Sequence, residues 1–148
     1  MLLLVFIAIQ FYRPDKNVTP DNHLAIFIAE TNPPKEVQQI LSTSCYDCHS
    51  NATNYPWYNE IVPISFWLDD HIKEGKKHLN FSNWDAYSVK EKDHKLEELV
   101  EEVEKNNMPL PAYSWMHNEA SLSLEQITQL SQWANTTRKM YQLNHLLK

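Results

Sequence analysis

Apolar positions recur at helical spacing along most of the chain, and the breaks between them are polar and rich in proline and asparagine. Asn32 followed by Pro33 has the form of an N-cap and a first helical residue. Val37, Ile40 and Leu41 then fall on one helix face. Asn51, Asn54 and Pro56 interrupt that pattern, and it resumes over 63–79 with Phe66, Trp67, Ile72 and Leu79 as apolar anchors. A turn with aromatic residues follows at 80–84. Ser88 and Glu91 form a capping-box pair, opening a helix whose Leu96, Leu99, Val100 and Val103 make a narrow apolar stripe. Glu97, Glu98, Glu101, Glu102 and Glu104 make its solvated face. Residues 106–113, with Pro109 and Pro111, end it. Ser123 and Gln126 open a last helix, with Ile127, Leu130, Ala134 and Thr137 on one face and Trp133 beside them, running to about residue 143.

With 148 residues the chain can build one domain with a proper core. A single glycine, Gly75, argues against hairpins and bulges and so for an all-α fold. The net charge of −6 supplies no basic surface for phosphates, which argues against nucleic-acid binding. An acidic surface suits a basic partner protein, and it is also what an ordinary solvated face looks like.

The run 1–9 is apolar throughout and closes on Gln10, Phe11, Tyr12, Arg13 and Pro14. It is shorter than the roughly 20 residues that cross a bilayer. Its character is that of a signal-anchor or truncated membrane segment, with interfacial aromatics and an arginine behind it and no clear cleavage site; a short buried helix is the alternative. The expected organisation is a membrane segment at 1–12, a tether at 13–31 and a helical domain at 32–148. Within the tether, the apolar patch 24–28 is expected to pack on the domain.

The only two cysteines lie in Cys45-Tyr46-Asp47-Cys48-His49, the C-x-x-C-H pattern of covalent haem attachment. Two thiols three positions apart on one helical turn can reach the two vinyl groups of a porphyrin, and the following imidazole can bind its iron. The motif would close the helix begun near residue 32. A dithiol redox pair, half a zinc site and a structural disulfide are the other uses of C-x-x-C. No alternating strand pattern and no second ligand pair at zinc spacing accompany it here.

Other residues are candidates for the walls and the second iron ligand of such a site. Tyr55, Pro56, Trp57 and Tyr58 follow the motif as an aromatic cluster able to wall a porphyrin or fill the core, and Trp67 is a further candidate wall. His71 and His78 share a helix face with Gly75 between them, where the helix could approach another backbone; His71 is a rival ligand. Met108 precedes Pro109 and so sits on extended chain, from which its thioether can enter a pocket instead of packing along a helix. Met116 and His117 are second choices from the same loop.

Taken in order, Cys45–Ser50, Asn54–Tyr58, Trp67-Leu68, His71-Ile72, Glu74-Gly75, His78–Ser82, Met108-Pro109, Leu122–Leu124 and Gln132–Ala134 resemble the small bacterial haem-binding domain family of c-type cytochrome-like proteins. The resemblance covers about 35–135 and includes the 11–14 boundary. It implies a cytochrome c-like helical domain around one haem c, attached through Cys45 and Cys48 with His49 as proximal ligand. Met108 as distal ligand is carried over from the Met-Pro element of class I cytochromes. The family's loop commonly reads Met-Pro-Pro, and here Leu110 separates the two prolines. The resulting expectation is an exported, membrane-tethered monohaem cytochrome c at the periplasmic face, passing single electrons through His/Met-ligated iron to a redox partner protein. Whether it is also an enzyme is left open by the resemblance, with electron transfer as the favoured role. The alternative is a peroxidase-like enzyme or gas sensor with a labile or open distal site, where His71 or His117 would act.

Overall fold

The computed structural model describes residues 2–19 and 22–146, and among them there is no strand. Eight α-helices follow in order: α1 (Leu2–Ile9), α2 (Ala25–Thr31), α3 (Lys35–Ser44), α4 (Tyr46–His49), α5 (Ile64–His78), α6 (Val89–Glu104), α7 (Pro111–Met116) and α8 (Leu124–Leu146). Short 3₁₀ turns at Trp57–Glu60, Phe81–Ala86 and Asn118–Ala120 join them. The all-α expectation holds.

The apolar stripes meet in one core. Leu96, Leu99, Val100 and Val103 of α6 face Ile127, Leu130, Trp133 and Ala134 of α8, and Val37, Ile40 and Leu41 of α3 close the third side. Thus α8 lies chiefly along α6 and also touches α3. Arg138 fastens the pair from outside, its guanidinium donating to Asp93 at 2.9 Å and Glu97 at 2.6 Å. Both capping boxes form: Ser88 with Glu91 starts α6, and Ser123 with Gln126 starts α8.

The segment 13–31 is not tether throughout. Its patch coils into α2, whose Phe27 is fully buried against Phe81, Trp84 and Trp133. A polar seam follows this helix. Lys92 donates to both oxygens of Glu30, at 2.9 and 2.8 Å, and Tyr141 donates to the same carboxylate at 2.7 Å. Trp133 donates to the Thr31 carbonyl. Because α2 occupies this place, Asn32 has a different task from the expected one. It ends α2 in the left-handed region, φ 40°, its N–H bonded to the Ile28 carbonyl, and α3 begins only after Pro34. Asparagine serves at both kinds of helix end, so its identity alone did not distinguish them.

Helix α1 buries none of its residues, which removes the buried-helix alternative. Its eight residues would reach about 12 Å, and no helix among the described residues is long and apolar enough to cross a membrane. Side chains just after it grip the domain. Gln10 exchanges hydrogen bonds with the Val62 backbone, Tyr12 stacks on Phe66, and Arg13 and Lys16 pair with Glu60.

Gly75 of α5 lies against the backbone of α4: a Cβ built there would stand 2.7 Å from the Cys48 carbonyl oxygen. Alanine would improve helix propensity by about 1 kcal/mol, but the neighbour it meets is backbone and cannot yield cheaply. Gly75→Ala is therefore expected to destabilise the fold by about 1–3 kcal/mol despite the better propensity, read as a lower urea midpoint. Phe27→Ala is expected to cost about 3–5 kcal/mol in the same measurement. Ile26→Ala, at an exposed neighbouring position, should cost far less.

Candidate functional site

The motif sits on a turn of its own. Helix α3 stops at Ser44, Cys45 turns the chain with φ −129°, and the Cys45 carbonyl then accepts the N–H groups of Cys48 at 3.2 Å and His49 at 2.9 Å. The expected arrangement, with the motif closing α3, is thus corrected to a break at Cys45 followed by α4. Downstream, side chains lock the turn in place. Asp47 accepts the Asn54 N–H at 3.0 Å, Thr53 donates to the Asp47 carbonyl at 2.6 Å, and Asn17 donates to the Ser50 carbonyl at 2.9 Å.

Cys45, Cys48 and His49 line one cavity of about 700 Å³, within the range of small-molecule and cofactor sites. Leu79, Phe81, Leu99, Val103 and Leu110 supply apolar wall, and Met108, Pro109 and Tyr113 reach it from the loop after α6. Carboxylates of Asp70, Glu74, Glu98, Glu101 and Glu102 also border it, with Lys95 and the imidazoles of His71 and His78.

His49 is held in a single tautomer. Its Nδ1 lies 2.9 Å from the Leu79 carbonyl oxygen. A carbonyl only accepts, so Nδ1 carries the proton and, in the neutral ring, Nε2 keeps its lone pair. Burial pushes the imidazole pKa down, outweighing the hydrogen bonds to backbone carbonyls that raise it. The ring is therefore neutral at pH 7, the state in which imidazole binds a metal, and the carbonyl fixes its tautomer as an outer partner does in metal sites.

Both thiols are free. Burial pushes Cys45 up to about 12, helped by neighbouring Cys48, and Cys48 up to about 11, helped by Asp47. Redox-active and metal-binding cysteines have their thiolates favoured instead. No group of three or more His, Cys, Asp or Glu among the described residues is placed to hold a metal ion. At neutral pH both thiols are thus protonated, and among the described residues they lack the partners of a zinc site.

These residues fit a haem. Two protonated thiols and a neutral imidazole share one cavity with apolar walls, and Gly75 lets α5 lie flat against the turn that presents them. Of the candidate second ligands, Met108 and His71 both line the cavity. The Nδ1–H of His71 donates to the Trp67 carbonyl at 2.7 Å, which leaves its Nε2 free.

Other candidates lie elsewhere. Tyr55, Pro56, Trp57 and Trp67 are absent from the cavity lining, which corrects the expectation that they wall it. The Tyr55 hydroxyl accepts the Asn17 N–H, Trp57 is 76% exposed, and Trp67 packs on the His71 ring at 4.3 Å. Met116 is exposed, and His117 bonds to the Tyr58 hydroxyl. The actual walls come from residues first read as core stripe, Leu99 and Val103, and from Phe81 and Tyr113. The stripe of α6 leads directly into the Met108 loop, and that continuity was the available signal.

A pH dependence follows from His49. Its folded pKa lies below the ordinary 6.5, so the unfolded chain binds more protons and stability falls as pH drops through and below that value. In the haem-free chain, urea midpoints are expected to fall between pH 7 and 5.5. His49→Gln, which can donate to Leu79 without titrating, should lose less.

The haem-binding domain family model matches residues 4–136. No curated protein matches the chain, and no solved structure does. The match takes in α1 to most of α8, including the thiol-bearing turn and the whole cavity, and the chain belongs to the haem-binding domain family.

Proposed function

We propose that this haem-binding chain is a monohaem c-type cytochrome that carries single electrons. The observation that carries the reading is the convergence of Cys45, Cys48, His49 and Met108 on one cavity, with the His49 tautomer fixed by the Leu79 carbonyl. Haem, when bound, supplies a one-electron iron couple. Cys45 and Cys48 would hold it through thioethers, their S–H bonds adding across two vinyl groups with no leaving group and no external oxidant. His49 would hold the iron through Nε2, and Met108 would offer its thioether as a second donor from the same cavity. A haem held by donors from the protein alone would carry electrons without a catalytic acid or base. Leu79, Phe81, Leu99 and Val103 exclude water from the macrocycle, which favours a raised potential and small reorganisation.

We also infer export to the outer face of the bacterial cytoplasmic membrane, with 1–12 as the anchor; the exposed apolar side chains of α1 support this. A basic redox protein is the partner we infer, because carboxylates of Glu74, Glu98, Glu101 and Glu102 border the cavity. His71 favours a second reading. With Nε2 free at the same cavity, it could serve as distal acid/base in a peroxidase-like enzyme or gas sensor.

Intact mass spectrometry of the matured chain is expected to show the added mass of one haem, retained under denaturing conditions. Cys45→Ala/Cys48→Ala should abolish it, and a colourless matured protein would end the proposal. In optical spectra Met108→Ala should turn the iron high-spin and let carbon monoxide bind the reduced protein rapidly. His71→Ala should leave the spectrum as in wild type; rapid carbon monoxide binding by the wild type would favour the second reading instead.

A further inference from the structure

The segment that carries Met108 is held by little apolar burial. Helix α7 has no buried residue, and Met108 touches the core only from its edge. Segments of this kind open locally at low cost, yet an axial donor must stay in place. Two side-chain hydrogen bonds tie α7 and its end to the domain. The Tyr113 hydroxyl donates to Asp47 Oδ2 at 2.7 Å, and the Tyr58 hydroxyl lies 2.7 Å from His117 Nε2. The Tyr113 ring stacks on His117, centroids 4.6 Å apart and planes 24° apart, so the two ties support each other.

The first tie has a particular anchor. Asp47 lies between the two cysteines on α4, its other carboxylate oxygen bonded to the Asn54 N–H and its carbonyl to the Thr53 hydroxyl. It is therefore a fixed post on the thiol-bearing turn. Burial, and then Asp47 itself, push the Tyr113 pKa up, so the phenol keeps the proton it donates. Hydrogen bonds to a charged acceptor are about twice as strong as neutral ones.

We propose that Tyr113 is a positioning residue for Met108: its bond to Asp47 clamps the Met108 loop to the turn that bears the thiols, and so governs how readily Met108 leaves the iron. This rests on Met108 being the distal ligand. One side chain of the C-x-x-C-H turn thus controls the donor reaching the cavity from the other side of the sequence. Tyr113→Phe removes the tie while keeping the ring that stacks on His117.

The test uses the matured full-length chain. Losing a hydrogen bond to a charged group should shift a local open–closed equilibrium by about ten- to a hundredfold. Tyr113→Phe should therefore bind carbon monoxide faster, per haem bound, by about that factor, with far-ultraviolet circular dichroism unchanged. Amide hydrogen exchange over 110–117 should speed up as well. Asp47→Asn, which keeps an acceptor oxygen without the charge, should give a smaller change in the same direction. If Tyr113→Phe binds carbon monoxide no faster than wild type while Met108→Ala does, Met108 is the ligand and the clamp is wrong. If Met108→Ala also behaves as wild type, the ligation reading itself has failed and the clamp with it. Should Tyr113→Phe not accumulate, unchanged exchange over 110–117 in Asp47→Asn overturns the clamp on its own.

Discussion

The contact between α5 and the thiol-bearing turn is the constraint on which the site depends. Gly75 brings the α5 backbone against the carbonyl and Cβ of Cys48, and four residues later the Leu79 carbonyl takes the Nδ1 proton of His49. One helix thereby sets both the depth of the turn and the tautomer of its imidazole. The closeness of the fit explains why the chain's one glycine is found mid-helix, where its entropic cost is otherwise unfavourable. A side chain there would force the two backbones apart and carry His49 away from its acceptor.

Around this contact the molecule divides into a firm part and a looser one. The firm part is the α3–α6–α8 core with α2 inserted, closed by Trp84, Phe27 and Phe81 and stitched by the Glu30 cluster. Phe81 belongs to that core and also lines the cavity, so the apolar wall of the site is continuous with the buried core. The looser part is the loop with α7, where hydrogen bonds replace burial. A side chain on such a segment, Met108 included, is held by a few polar ties outside the core. This division suits a haem-binding protein: the thiol-bearing turn with His49 is built into the fold, and the Met108 loop rests on it.

Several elements were legible because their causes are local. The stripe of α6 and its capping box, the box of α8 and the span of α5 follow from spacing and end chemistry alone. Asn32 shows the limit. Its residue type fits a helix start and a helix end equally, and α2 decides between them by packing Phe27 into the core. The aromatic cluster 55–58 shows another limit, since proximity to the motif in sequence did not place it in the cavity. The chain turns away after Ser50, and Asn17 docks where the cluster was expected to face the cofactor.

By itself the sequence determined the helical class, the C-x-x-C-H motif of a haem-binding domain and the place of Met108 beside a proline, because each depends on residue type at short spacing. Only the tertiary structure decided which aromatics wall the cavity, which nitrogen of His49 is free, that Gly75 serves Cys48, and that Asp47 meets Tyr113. Those are contacts between residues 27 to 66 positions apart. They exist only once the core has brought α4, α5 and the Met108 loop together, and no local pattern records that meeting.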